Sequence, residues 1–197
     1  MGYLILMITS IFAPLLNLIN LQSYLCSKQI FMSHTKVLNH TEVVARINRI
    51  AWQIFEAHQN NASILVAGIE AKGYKLASLI CDKLKEISDL NIDLRQLRLD
   101  KKDPLASNIY LEPELKDING KHIVIIDDVL NSGSTMIYGV KRFLDFPVAS
   151  ITTAVLVDRN HKRFPIKADV KGLSLSTSLQ EHVEVYFDDD DFCVEVS

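Results

Sequence analysis

Residues 122–136 read HIVIIDDVLNSGSTM, and no other stretch of the chain limits the fold as much. His122–Ile126 is the kind of apolar run that forms a strand covered on both faces, as in a parallel sheet. It hands two adjacent carboxylates, Asp127 and Asp128, to the carboxyl end of that sheet, where open α/β sheets bind their ligands. Asn131-Ser132-Gly133-Ser134-Thr135 follows. Small residues there let backbone N–H groups approach a phosphate, and a helix over about 135–145 adds its positive end. The unit joins a phosphate cradle to two acids that can accept from sugar hydroxyls. The plainer reading is an Asp-Asp loop cap followed by an ordinary Gly-Ser turn.

The flanking sequence predicts more elements of the same kind. Asn39 and Glu42 have the spacing of a capping box. Val43, Ile47, Ile50, Ile54 and Phe55 recur at helical period, so 39–58 is expected to be a helix with one buried face. Ile64–Ala67 is a second buried strand ending at Gly68, with a turn over 69–73 leading into a helix over about 74–87. Residues 92–99 alternate enough for a strand, and the polar stretch 100–114, with Pro104 and Pro113, is expected to be a long loop. Ile151–Val157 adds a buried strand, 158–166 a loop, and Val183–Phe187 an alternating edge strand. Asp188–Asp191 reads as a solvated acidic tail. Strands alternating with helices predict an α/β fold whose mainly parallel sheet is flanked by helices.

The 197 residues suit one domain plus a tail, and a net charge of −3 gives no electrostatic reason to expect nucleic acid or an anionic membrane. Cys26, Cys81 and Cys193 are scattered and odd in number, which points to free thiols in a reducing compartment. The first 27 residues carry no charge. A secretory signal, a membrane anchor and an amphipathic appendage are all open readings of them. The preferred one is a start placed too far upstream, with Met32 as the true first residue. No Lys or Arg precedes the apolar stretch, and Pro14, Asn17, Asn20 and Gln22 dilute it. The expected division is an extension over 1–31 and a domain over 32–197.

The window 122–136 resembles the signature of type I phosphoribosyltransferases: an apolar run, two acids, two apolar residues, a variable residue, then Thr/Ser-Gly-x-Thr. The resemblance implies that family's Rossmann-like α/β fold, with a mobile loop over the active site. It also implies transfer of ribose 5-phosphate from 5-phosphoribosyl 1-diphosphate to a base. Asp127 and Asp128 then take the catalytic role at the ribose hydroxyls, while Asn131, Ser132, Gly133, Ser134 and Thr135 hold the 5′-phosphate. Mg²⁺ is the implied cofactor, held by the donor's hydroxyls and diphosphate, with Asp127 a candidate ligand. Gly68-Ile69-Glu70-Ala71-Lys72-Gly73 is similar to the family's diphosphate-binding turn, which assigns Glu70, Ala71, Lys72 and Gly73. Leu156-Val157-Asp158-Arg159 stands where the family recognises the base, which assigns Val157, Asp158 and Arg159.

One branch is resembled further, the bacterial pyrimidine-operon regulators that are also uracil phosphoribosyltransferases. The stretches LVDRNHKRFPIKADVKGLSLSTS and HVEVYF, with RINRIAWQIFE near the start, carry that likeness from about residue 35 to 187. There are departures. The branch has Tyr-Thr-Gly-Arg-Thr where Asn131–Thr135 stands, and Thr-Arg-Gly where Ala71-Lys72-Gly73 stands; lysine keeps the charge but not the bidentate fork. Leu99–Asp103 takes the place of its mobile-loop segment, with Lys101 standing in for an arginine. Hypoxanthine enzymes usually carry Asp at the position of Asn131 and Lys at that of Arg159, so uracil is the expected acceptor and a purine the runner-up. The branch implies a cytoplasmic homo-oligomer, a dimer, with no stable membrane association. RNA is a further partner it raises, and an RNA-binding regulator that keeps the donor site as a sensor is the rival reading. Lys162, Arg163, Lys167 and Lys171 are the basic cluster such a regulator would use. An adaptor built on this fold would suit a genuine N-terminal anchor.

Overall fold

The buried runs of the sequence become neighbours in one sheet. The structure, a computed structural model, describes residues 34–100, 109–115, 117–178, 180–188 and 191–197. The expected extension over 1–31, and Lys101 of the expected mobile loop, lie outside the described residues. In chain order the elements are β1 (Thr35–Leu38), α1 (His40–His58), β2 (Ser63–Ile69), α2 (Glu70–Ile87), β3 (Asn91–Arg98) and β4 (Tyr110–Glu112). Then come β5 (His122–Leu130), α3 (Ser134–Leu144), β6 (Ser150–Arg159), β7 (Val170–Leu175), β8 (Val183–Phe187) and β9 (Phe192–Val196). The six-stranded sheet has the order β4-β3-β2-β5-β6-β7, parallel throughout except for β4 at its edge. The expected α/β class is what forms.

Alternation along the central strands divides the core into two layers. Ile64, Val66, Val124, Ile126, Ala154 and Leu156 face α1 and α2, with Ile50, Ile54, Leu76 and Ile80 from those helices. Leu65, Ala67, Ile69, Ile123, Ile125 and Val155 face the other way, toward Met136 and Phe143 of α3. Each fully buried Leu, Ile or Phe contributes about 1.5–3 kcal/mol. Slipping a strand by one residue would swap its two apolar sets, so both layers hold the register. Asn39 caps α1 as its spacing predicts: its side chain accepts from Glu42 N–H at 3.0 Å, and Glu42 accepts from Asn39 N–H at 2.9 Å.

Several boundaries differ from the sequence expectation. The turn over 69–73 does not form, because β2 continues through Ile69 and α2 starts at once at Glu70, whose φ is +50°. The stretch 100–114 contains β4, paired antiparallel with β3. Strands β5 and β6 run on to Leu130 and Arg159, so the acid pair lies within a strand rather than after one. Asp188 and Asp191 stand between β8 and β9 rather than in a tail, and Asp191 lies 3.7 Å from Lys36 Nζ. With β1 these strands make a second, antiparallel sheet of order β1-β9-β8, which puts Val183–Phe187 at an edge, as expected, but in a different sheet. Leu38, Val185 and Val194 seat it on the α1 side of the core. Among the described residues no helix is long and apolar enough to cross a membrane.

Candidate functional site

A cleft of about 410 Å³ opens at the carboxyl edge of the large sheet. Lys72, Asp127, Asp128, Asn131, Ser132, Gly133, Thr135 and Arg159 line it, so eight residues singled out from the sequence come together. Asp127 and Asp128 are 3% and 7% exposed. The N–H of Asp128 donates to Asp127 Oδ1 at 3.0 Å. Both carboxylates lie inside a strand rather than in a loop, and a charge buried there needs partners, since burial without them costs roughly several kcal/mol.

The turn after β5 is built to present backbone N–H groups. Gly133 is the N-cap of α3 with φ +83°, a conformation that side chains disfavour. A Cβ there would also lie 2.7 Å from Ile166 Cγ2. The carbonyl of Ser132 accepts from the N–H groups of Arg163 and Phe164 at 2.9 and 3.1 Å, which ties the turn to the loop after β6. Ser132 Oγ accepts from Ser134 N–H at 3.2 Å. Gly133 offers no capping side chain and Ser132 takes the N–H of Ser134 alone, so the rest of the first turn keeps the capacity to bind an anion.

The other predicted residues stand behind the cleft wall. Glu70 turns away and accepts from Leu99 N–H at 2.8 Å, bracing the end of β3. Gly73 packs α2 against β5: a Cβ there would meet Ile126 O at 2.9 Å and Asp127 Oδ1 at 3.1 Å. Val157 belongs to the core. Asp158 pairs with Lys162 at 3.2 Å and Lys171 at 3.3 Å. Ala71 and Ser134 are not among the residues that wall the cleft. Val157, Asp158 and Arg159 are all buried, and of the three only Arg159 lines the cleft.

The opposite wall of the cleft is formed by residues that no sequence motif marked for the site. His182, Val183 and Glu184, at the start of β8, complete the cleft. Tyr186 donates its hydroxyl to Glu184 Oε2 at 2.5 Å, and that bond is the first cause of a phenol pKa pushed up to about 12. Lys72 Nζ lies 5.2 Å from the centre of the Tyr186 ring, a cation–π distance. The signal was present in the sequence: His182, Glu184 and Tyr186 alternate with Val183, Val185 and Phe187, one polar face against one apolar face. Only the fold shows that the polar face meets α2. Arg159, 3% exposed, donates from Nε to Thr177 Oγ1 at 2.9 Å and from Nη2 to the Ser178 carbonyl at 3.1 Å.

An acid pair on a central parallel strand, a small-residue turn and a helix N-terminus thus share one cleft at the carboxyl edge of an α/β sheet. The chain belongs to the phosphoribosyl transferase domain family, whose model matches residues 33–190. Its curated relatives include the bifunctional protein PyrR of Haemophilus ducreyi, 34% identical over 161 residues, covering 76% of this chain and 88% of that one. The bifunctional protein PyrR of Mannheimia succiniciproducens is 32% identical over 171 residues, 82% of this chain and 96% of the relative. Among solved structures, the hypoxanthine phosphoribosyltransferase of Trypanosoma cruzi superposes with a TM-score of 0.66 over 81% of this chain and 95% of its own. At 17% identity that likeness concerns the fold.

Proposed function

We propose that this chain transfers ribose 5-phosphate from 5-phosphoribosyl 1-diphosphate to uracil in nucleotide salvage. The observation that carries the reading is the convergence of Asp127, Asp128, the α3 N-terminus, Lys72 and Arg159 on one cleft. In this reading the carboxylates of Asp127 and Asp128 accept from the ribose 2′- and 3′-hydroxyls. Asn131, Ser132, Gly133, Ser134 and Thr135 surround the 5′-phosphate, chiefly through N–H groups and hydroxyls. The first turn of α2 meets the diphosphate through the Lys72 ammonium, with Glu70, Ala71 and Gly73 supporting that turn from behind the cleft wall. The C1′–O bond to diphosphate breaks as uracil N1 bonds to C1′ and gives up its proton. Positive charge develops at the sugar and negative charge on the leaving oxygens, so fixed dipoles and positioning do most of the catalytic work.

Mg²⁺ fits this cleft only together with the donor. Among the described residues no group of three or more His, Cys, Asp or Glu side chains could hold a metal ion. The donor's diphosphate and hydroxyl oxygens would supply most ligands and Asp127 would add a carboxylate, the hard oxygen set that Mg²⁺ prefers. Bound there, the ion would offset charge on the departing diphosphate.

Asn131 and Arg159 support uracil over a purine. An amide at Asn131 cannot exchange a proton with a purine ring nitrogen as a carboxylic acid would. Arg159 stands where purine enzymes of the family usually carry Lys, and it offers N–H donors to a carbonyl oxygen of the base. The RNA reading has less support, because Lys162 and Lys171 of the basic cluster are already paired with Asp158. A donor diphosphate of this kind places the work in the cytoplasm. Turnover should be measured with uracil, hypoxanthine, guanine, xanthine and orotate. Uracil is expected to be fastest; faster turnover of a purine would overturn the base assignment and leave the donor chemistry standing.

A further inference from the structure

Arg159 is a buried cation whose known contacts do not use up its hydrogen-bonding capacity. It is 3% exposed at the end of β6 and lines the cleft. A guanidinium carries five N–H donors in a rigid fork. Here the Nε–H goes to Thr177 Oγ1 at 2.9 Å and one Nη2 donor to the Ser178 carbonyl at 3.1 Å. The nearest carboxylate in sequence, Asp158, is engaged by Lys162 and Lys171 instead. The segment that receives Arg159 is itself held, since His161 Nε2 lies 2.5 Å from the Thr177 carbonyl. Thr177 Oγ1 thus fixes one edge of the guanidinium plane, and the fork's remaining edge is what the cleft can use.

We infer that Thr177 is a positioning residue, whose hydroxyl orients the Arg159 fork toward a carbonyl oxygen of the base. This rests on the proposed function, in which Arg159 meets the acceptor. A rotated guanidinium would still be a cation in the cleft, but its donors would no longer aim at one oxygen. Without the Thr177 hydroxyl, the Ser178 carbonyl is left as the partner on that side of the fork.

The test compares Thr177→Val, which keeps the shape and removes the hydroxyl, with Thr177→Ser, which restores it. With uracil as the probe, Thr177→Val is expected to raise the KM for the base about tenfold while the KM for the donor diphosphate and Tm stay near wild type. Thr177→Ser is expected to return the base KM to within about twofold, a hydroxyl in the same place making the same bond. Equal base KM in all three proteins, or parallel rises in both KM values, would overturn the inference. A second readout does not depend on which base is used: the Arg159 Nε–H resonance, assigned through Arg159→Lys. It should be protected from solvent exchange in the wild type and in Thr177→Ser, and lose that protection in Thr177→Val. If wild type fails to use uracil yet this pattern holds, the base assignment falls and the positioning role stands. Unchanged protection in Thr177→Val would sink the positioning role by itself.

Discussion

Asp128 and Arg159 carry most of what is distinctive in the cleft, and both are buried charges on central strands. A charge-assisted hydrogen bond from a sugar hydroxyl to a carboxylate is worth roughly 1.5–3 kcal/mol. Asp128→Asn, which keeps the shape and removes the charge, is therefore expected to lower kcat/KM about tenfold or more, with an unchanged far-UV circular dichroism spectrum. An unaltered kcat/KM would assign this acid a packing role alone. The acid pair was legible in the sequence because an apolar strand delivers it to a known place in a parallel sheet. Arg159 was legible only through the family resemblance, since a lone arginine at a strand end usually points to water. Its burial depends on Thr177 and Ser178, eighteen and nineteen positions along the chain, and no local pattern reveals a contact of that range. The contact of Lys72 with Tyr186 was hidden for the same reason.

Helix α1 shows what local chemistry does specify. Its capping box and apolar stripe place both its start and its buried face, and the structure follows them. Strands β1, β7 and β9 escaped notice because β1 has four residues, β7 is interrupted by Lys171, Gly172 and Ser174, and β9 follows a run of acids. Tertiary pairing makes them strands, which weak intrinsic propensity does not. The far end of α1 carries a titratable anchor. His58 is buried, with Nε2 3.2 Å from Thr152 Oγ1, Nδ1 2.9 Å from Asn61 Nδ2, and the ring edge-on to His122 at 5.9 Å. Burial, and then the neighbouring His122, holds its pKa below the ordinary 6.5. The unfolded chain therefore binds the proton more readily, and its contribution to stability is complete above pH 6.5 and declines as the pH falls below it. Urea midpoints measured at pH 7.5 and near pH 5.5 are expected to fall in the wild type and to fall less in His58→Gln, with a slope of at most about 1.4 kcal/mol per pH unit from this group. Equal declines in both proteins would remove His58 from the account.

At the scale of the whole molecule, the sheet order brings together segments from residue 72 to residue 184 at one edge. Strand–helix alternation implied a mainly parallel sheet but not its strand order, and the antiparallel sheet β1-β9-β8 joins the two ends of the described chain, a pairing that only closure of the fold makes. β1 begins at Thr35, and α1 brings its own cap. Removing residues 1–31 is therefore expected to leave a folded protein with Tm within a few degrees of the full chain and the same donor affinity. Loss of cooperative unfolding in the truncated protein would show that the segment completes the domain.

In the proposed function, the cleft at Asp127, Asp128 and the α3 N-terminus takes a phosphorylated sugar diphosphate together with a metal. Calorimetric titration of 5-phosphoribosyl 1-diphosphate into the full-length protein, once with Mg²⁺ and once with a chelator, addresses it without reference to the base. Saturable one-site binding is expected with Mg²⁺, and much weaker binding without it. Negligible heat in both titrations would contradict it.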